Sequence, residues 1–199
     1  MGDGWVVIVT LQCISEIYWR VTERRSIVKY VVLGLLMIQP LSLYDLHKAF
    51  RAGISLFYSA SFGSLQRSLS QLIEEGLVVA EPEPGDPRGK KRHTITDAGR
   101  IAWRDGMLTP PVGADAETVM LSRVFFLGLL DADDRKVAVG LLRSRAADDL
   151  ANLQAVAVEL DSAEIPADLA GVFKYQRATL DYGIRSHTLA QTWLNELPE

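Results

Sequence analysis

The sequence predicts a mainly α-helical fold with one small β-hairpin. Apolar side chains recur at helical spacing over most of the chain, and two short stretches with the character of strands flank a single turn. A third observation divides the chain into two parts. Residues 28–110 carry ten Lys and Arg against eight Asp and Glu, whereas residues 111–199 carry eight against fourteen, so a mildly basic part precedes an acidic one.

Residues 1–27 are expected to form a tail or extension outside the main fold. The apolar stretch at 5–11 is short and follows no basic residue, so it does not fit a secretory signal, and the gene start could instead lie at Val28. No apolar run reaches the ~18–20 residues that a membrane-spanning helix needs. Cys13 is the single cysteine, so no intrachain disulfide can form, and we expect a cytoplasmic protein with no membrane partner.

The first two helices are predicted at residues 28–38 and 43–51. The first is apolar on nearly all sides and ends before Pro40, because the residue before a proline avoids the helical conformation. Ser42 precedes the second helix and is a good N-cap, since its hydroxyl can accept a backbone N–H of the first turn. Apolar residues at helical spacing follow Ser42, which indicates a short amphipathic helix.

A third helix is predicted at residues 62–76. Leu65, Leu69 and Leu72 have helical spacing, and Gly76 is a natural end for the helix. The positions expected to face outward share small or hydrogen-bonding side chains and include no acid: Ser64, Gln66, Arg67, Ser68, Ser70 and Gln71. This helix is therefore predicted to present a polar face that lacks negative charge.

The small β-hairpin is predicted to follow the third helix. Strands are expected at residues 77–81 and 91–96, and the residues between them, 82–89, are rich in proline and glycine. Thr96 is then placed to cap a helix that runs from 97 to about 106. The return strand of this hairpin is basic.

The second part of the chain is predicted to be helical. A linker with two prolines at 108–113 precedes helices at 119–130, 133–161 and 168–197, and Pro166 separates the last two. The helix at 133–161 carries a long apolar stripe that a small domain would not cover alone. We therefore expect a second copy of the chain to bury that stripe.

Three helices followed by a β-hairpin form the order of a winged helix-turn-helix domain, which we assign to residues 28–108. A helical dimerisation and effector domain is assigned to 115–199. The third helix of such a module enters the major groove, where base edges can be distinguished. The wing, here residues 82–92, brings cations to the phosphates that supply most of the non-specific affinity. Its basic side chains are Arg88, Lys90, Lys91 and Arg92.

The motifs of residues 28–199, in their order and spacing, resemble the PadR-type winged-helix transcriptional regulators, in the branch with a large helical C-terminal domain. The N-terminal motifs are Leu33-Gly34-Leu35-Leu36, Tyr44, Ser61-Phe62-Gly63-Ser64, Leu72-Ile73-Glu74-Glu75-Gly76-Leu77-Val78 and Thr96-Asp97-Ala98-Gly99. The C-terminal motifs are Phe125-Phe126-Leu127-Gly128-Leu129-Leu130, Thr179-Leu180-Asp181-Tyr182-Gly183 and Trp193-Leu194.

The resemblance implies a homodimer that forms through the C-terminal helices and binds double-stranded DNA at a palindromic operator. It also implies a repressor whose binding is modulated by a small-molecule effector. The residues that it places near DNA are Ser42, Tyr44, Ser61, Ser64, Gln66, Arg67, Lys90, Lys91 and Arg92. This chain departs from the family in having Gln66 and His93 where tyrosine is usual, and Leu43 where glycine is usual. Glutamine is a competent reader of adenine, so Gln66 is expected to change operator preference.

The sequence carries no constellation that supports catalysis. It has no GxSxG or HExxH motif, and its three histidines (His47, His93 and His187) are far apart, so we expect no enzyme activity, no metal and no cofactor. One alternative function stays open. A winged-helix adaptor that binds a protein instead of DNA would fit the net charge of −4 and the departure at Gln66.

Overall fold

The computed structural model describes residues 27–83, 85, 89–112 and 115–198. The predicted tail therefore lies, up to residue 26, outside the described residues. The chain divides into two compact units, the first ending at Asp131 and the second spanning Ala132–Glu199. The described helices include none that is both long enough and apolar enough to cross a membrane.

The first unit has the predicted order of elements. The prediction of a mainly helical fold with a winged helix-turn-helix module is confirmed, and the helices and strands lie within a few residues of their predicted bounds. They are the helical residues 27–38 (α1), Leu41–Ser42 (β1), Leu43–Ala52 (α2), Phe62–Glu74 (α3), Val78–Pro82 (β2), Lys91–Ile95 (β3), Asp97–Met107 (α4) and Ala116–Phe126 (α5). Short 3₁₀ turns at Ile54–Leu56 and Leu127–Leu129 follow α2 and α5.

Side-chain caps fix where the helices of the module begin. The Ser42 hydroxyl accepts the backbone N–H of Asp45 at 3.2 Å, and the Asp45 carboxylate accepts the backbone N–H of Ser42, which makes a complete capping box for α2. Ser61 caps α3 and Thr96 caps α4 through the side-chain oxygen alone, which accepts the backbone N–H of Ser64 and of Gly99. Each such cap stabilises its helix by about 1 kcal/mol. After α3, Gly76 adopts a φ of 71°, a conformation that glycine takes without steric cost.

The predicted hairpin is present as β2 and β3, and β1 adds a third antiparallel strand that was not predicted, in the order β1-β3-β2. In β1, Leu41 pairs with His93 and Ser42 pairs with Arg92. A strand of two residues is too short to show alternation in the sequence, and its partner lies about fifty residues away along the chain. This extra strand ties the start of α2 to the return strand of the wing.

Aromatic packing holds α5 in the first unit. Phe126 is buried and packs edge-to-face on Trp103 of α4 and on Tyr30 of α1. Its ring lies so close to Gly34 that a Cβ there would meet ring carbons at 2.8–2.9 Å. The domain division expected between 108 and 115 stays a prediction, but the compact units divide later, after Asp131, because α5 packs on the winged-helix module.

The second unit consists of two long antiparallel helices, Ala132–Asp161 (α6) and Ala170–Asn195 (α7), joined by a connection that contains Pro166. Polar contacts clamp both ends of the pair. At the C-terminal end of α7, the carbonyl of Leu194 accepts two hydrogen bonds from Arg143 of α6, at 3.2 and 3.0 Å. At the other end, Arg177 of α7 forms a 2.8 Å ion pair with Asp161.

Candidate nucleic-acid interface

The outward face of α3 is polar, as predicted, with one exception. Gln66, Arg67 and Ser70 are exposed and Ser64 is half-buried. Ser68, which was expected to face outward, is only 5% exposed. The reason is geometric, because Ser68 follows the buried Leu65 by three positions and therefore shares its face of the helix.

The N-terminus of α3 is open to solvent. Ser61, Phe62 and Gly63 are exposed, and the Ser61 hydroxyl accepts the backbone N–H of Ser64 at 3.2 Å. The ring of Phe62 packs edge-to-face on His47 of α2, with 5.5 Å between ring centroids. Backbone N–H groups in the first turn of a helix favour phosphate oxygens, so this end of α3 suits the DNA backbone.

Ser42 has a structural role at the start of α2. Its side chain is buried, and its hydroxyl donates a 2.6 Å hydrogen bond to the Asp45 carboxylate. A buried hydroxyl committed to the capping box is not available to a phosphate, so the side chain of Ser42 positions α2, and the location of Ser42 near DNA stays a prediction. Tyr44, two residues later, is 69% exposed and remains a candidate for the interface.

Two basic residues of α2 were missed in the sequence analysis. Lys48 and Arg51 are exposed and lie four and seven positions after Tyr44, so the three side chains share one face of the helix. That spacing is present in the sequence, but Lys48 and Arg51 belong to none of the motifs on which the predicted interface was based. The basic surface of the module therefore includes α2 as well as the wing.

The wing is less basic than its sequence indicates, because two of its cations are paired with carboxylates. Glu83 pairs with Arg92 at 2.7 Å and with Lys90 at 3.0 Å, and Lys90 also lies 3.9 Å from Asp45. The hydrogen bond from Arg92 and the nearby charge of Lys90 lower the pKa of Glu83, and pairing with Glu83 raises the pKa of both cations. Of the four cations predicted in the wing, Arg88 lies outside the described residues.

Lys91 differs from its two neighbours. Successive side chains of a strand point to opposite faces, so Lys91 lies on the face opposite Lys90 and Arg92. It is exposed, and none of the described residues forms an ion pair with it. Of the three described wing cations, Lys91 is therefore the one whose charge is not already neutralised.

His93, the departure in the return strand, is buried between the strands. Its Nδ1 lies 3.1 Å from the carbonyl oxygen of Leu41 in β1. Burial lowers the pKa of His93, and the hydrogen bond to Leu41 only partly offsets that effect. His93 therefore acts as a structural link between β3 and β1, and it does not face the solvent with the wing cations.

The described surface is suited to contact a duplex. Its exposed side chains are hydrogen-bond donors or cations, which match phosphate oxygens and base edges: Tyr44, Lys48, Arg51, Gln66, Arg67 and Lys91. Within the described residues, no group of three or more His, Cys, Asp and Glu side chains is placed to hold a metal ion.

Comparisons with known proteins confirm the resemblance to PadR-type regulators. No family model matches the chain. A curated relative, described as the negative transcriptional regulator PadR of Bacillus subtilis, is 26% identical over 110 residues. The matched region is 54% of this chain and 60% of that protein, so the chain spans less than two thirds of its relative's length.

Solved structures of PadR from Bacillus subtilis also match. The complex with operator DNA is 20% identical, covering 84% of this chain and 93% of that chain, with a TM-score of 0.38. The complex with p-coumaric acid is 20% identical, covering 86% of this chain and 93% of that chain, with a TM-score of 0.40. TM-scores of this size indicate only a loose structural similarity, so the resemblance rests on the sequence match to the curated relative.

Proposed function

We propose that this chain, which resembles the PadR-type regulators, is a DNA-binding transcriptional regulator and not an enzyme. In this proposal it acts in the cytoplasm as a homodimeric repressor that binds a palindromic operator. The third helix, α3, would read bases in the major groove, and the wing at 82–92 would contact phosphates. A small-molecule effector would modulate binding. The name of the curated relative, a negative regulator, supports repression.

The observation that carries the proposal is the exposed face of α3. Gln66 and Arg67 lie side by side on it, and residues 62–73 contain no acid that would repel a duplex. Glutamine pairs with adenine and arginine with guanine through two hydrogen bonds each in the major groove. The opposite side of α3 packs against the module through the buried Leu65, Leu69 and Leu72. The polar face is therefore held outward.

Exposed apolar side chains on the second unit support the dimer. On α7, Tyr175, Tyr182 and Leu189 are each at least 70% exposed and recur every seven residues, which places them on one stripe. On α6, Val137, Val156 and Val158 are also exposed. A second copy would remove this apolar surface from water.

The proposal is tested by selection of duplexes from a random library, followed by a salt titration of the selected duplex against its scrambled sequence. We expect a two-fold symmetric sequence to be enriched, and its affinity to fall steeply as salt increases. Light scattering at micromolar concentration should give a dimer. If no duplex binds at low salt, the adaptor function becomes the better account, since the paired cations of the wing and the acidic total charge then explain the result.

A further inference from the structure

The wing contains a carboxylate where a DNA-binding surface would be expected to have none. We propose that Glu83 is a specificity-determining residue: it competes with DNA phosphates for Lys90 and Arg92 and so suppresses binding to arbitrary duplexes. This inference rests on the proposed function, because it concerns the DNA-binding surface of the wing.

The geometry makes Glu83 a shared partner of the two cations. Its Oε1 lies 2.7 Å from a guanidinium nitrogen of Arg92, and its Oε2 lies 3.0 Å from the Lys90 ammonium. Glu83 and Lys90 lie directly beyond the paired strands, and the two ion pairs bring their side chains together with that of Arg92. With Asp45 at 3.9 Å from Lys90, two negative charges match two positive ones.

The fold of the wing does not depend on this carboxylate. The backbone N–H of Glu83 donates a 2.8 Å hydrogen bond to the carbonyl of Lys90, and β2 and β3 are paired residue by residue from Val78 to Pro82. Main-chain hydrogen bonds therefore close the hairpin. The role left for the Glu83 side chain is electrostatic, because it sets how much positive charge the wing offers.

A phosphate that approaches Lys90 or Arg92 must displace Glu83. On an arbitrary duplex, the loss of the internal ion pairs offsets the new contacts, so the wing adds little affinity. On the operator, the base contacts of α3 hold the wing against the DNA backbone. Phosphate then replaces Glu83 as the partner of the cations within a complex that is already bound. Glu83 therefore lowers non-specific binding more than it lowers operator binding.

The test compares Glu83→Gln with Glu81→Gln. Both substitutions remove one negative charge from the same limb of the wing hairpin, but Glu81 forms no ion pair with the described residues. Binding of the selected duplex and of its scrambled sequence is measured over a range of salt for both variants. We expect Glu83→Gln to bind the scrambled duplex about tenfold more tightly at low salt, with a slope steeper by about one to two, since two further phosphate contacts become available. Glu81→Gln should change this affinity by less than about threefold.

A double-mutant cycle provides a second measurement. Lys90→Met should weaken scrambled-duplex binding little in the wild-type background and several-fold in the Glu83→Gln background, because only in the second background is Lys90 released from its 3.0 Å pair with Glu83. Thermal unfolding of each variant establishes that it is folded.

Three outcomes would overturn the proposal. Equal effects of Glu83→Gln and Glu81→Gln would mean that only net charge matters. Weaker binding of both duplexes by Glu83→Gln would mean that the carboxylate positions the cations for DNA. Absence of wild-type binding to any duplex at low salt would overturn the proposed function itself, and this result is distinct because it needs no variant.

Discussion

The recognition helix and the wing are both polar surfaces of the same module, but they differ in how far their polar groups are already engaged. On α3, Gln66 and Arg67 project from a helix that has no acid between residues 62 and 73. In the wing, Lys90 and Arg92 share the carboxylate of Glu83. The difference teaches that a count of basic residues overstates what a surface offers to a duplex. The number of cations with no internal partner is the better guide.

The largest effect is expected from a substitution that weakens the packing of α3 on the core of the module. Leu65 is fully buried, so Leu65→Ala should lower the free energy of unfolding by about 2–5 kcal/mol through the lost apolar contacts and the cavity left behind. Chemical denaturation measures this. Ile73→Ala is the matched control, since Ile73 is 37% exposed on the same helix and should cost less than half as much. Equal costs would contradict the assignment of Leu65 to the core.

The second prediction concerns base contact. Arg67→Gln should weaken binding to the selected duplex by about 10- to 100-fold, because a bidentate contact to a base is worth about 1–3 kcal/mol. Binding to the scrambled duplex should weaken much less, so the ratio of the two affinities, which measures specificity, falls. Lys136→Gln removes the same charge from an exposed residue of α6, which is not part of the winged-helix module, and should have little effect. A uniform loss on both duplexes would make Arg67 a phosphate contact.

The third prediction is made within the wing. Lys91→Gln should weaken binding to both duplexes about threefold and reduce the slope of affinity against salt by about one, because Lys91 has no ion pair among the described residues. Lys90→Gln should change scrambled-duplex affinity less than that, since Glu83 already neutralises Lys90. Binding titrations at several salt concentrations measure both. The reverse order would contradict the comparison between engaged and unengaged cations.

The smallest effect is a dependence of stability on pH. Burial lowers the pKa of His93 in the folded protein below its ordinary value of 6.5. The unfolded chain therefore binds a proton first, and stability falls as the pH decreases from 6.5 to the folded pKa, below which this contribution no longer changes. Thermal unfolding at several pH values should show the fall, and His93→Gln should reduce it. An unchanged slope in that variant would assign the dependence to other groups.

Local signals made most of the first unit predictable from the sequence. Ser42 and Thr96 were each predicted to cap a helix, and both do, because capping depends on residues within one turn. The leucines of α3 were assigned to the core from their spacing alone, and Leu65, Leu69 and Leu72 are buried.

The remaining features depend on contacts between distant residues. The pairing of β1 with β3 joins segments about fifty positions apart, and a two-residue strand leaves no periodic signal. The engagement of Lys90 and Arg92 depends on the register that brings Glu83 to their face of the hairpin. The sequence places the acid and the cations in the same turn, but only the register shows that they meet.

The contact between Gly34 and Phe126 has a consequence for sequence change. The Phe126 ring occupies the space that a side chain at position 34 would need, with ring carbons at 2.8–2.9 Å from an added Cβ. An alanine at position 34 is compatible with this packing only if position 126 becomes smaller. We therefore expect the two positions to covary among chains that share this arrangement, so that the pair marks, in an alignment, which relatives hold their fifth helix against the first.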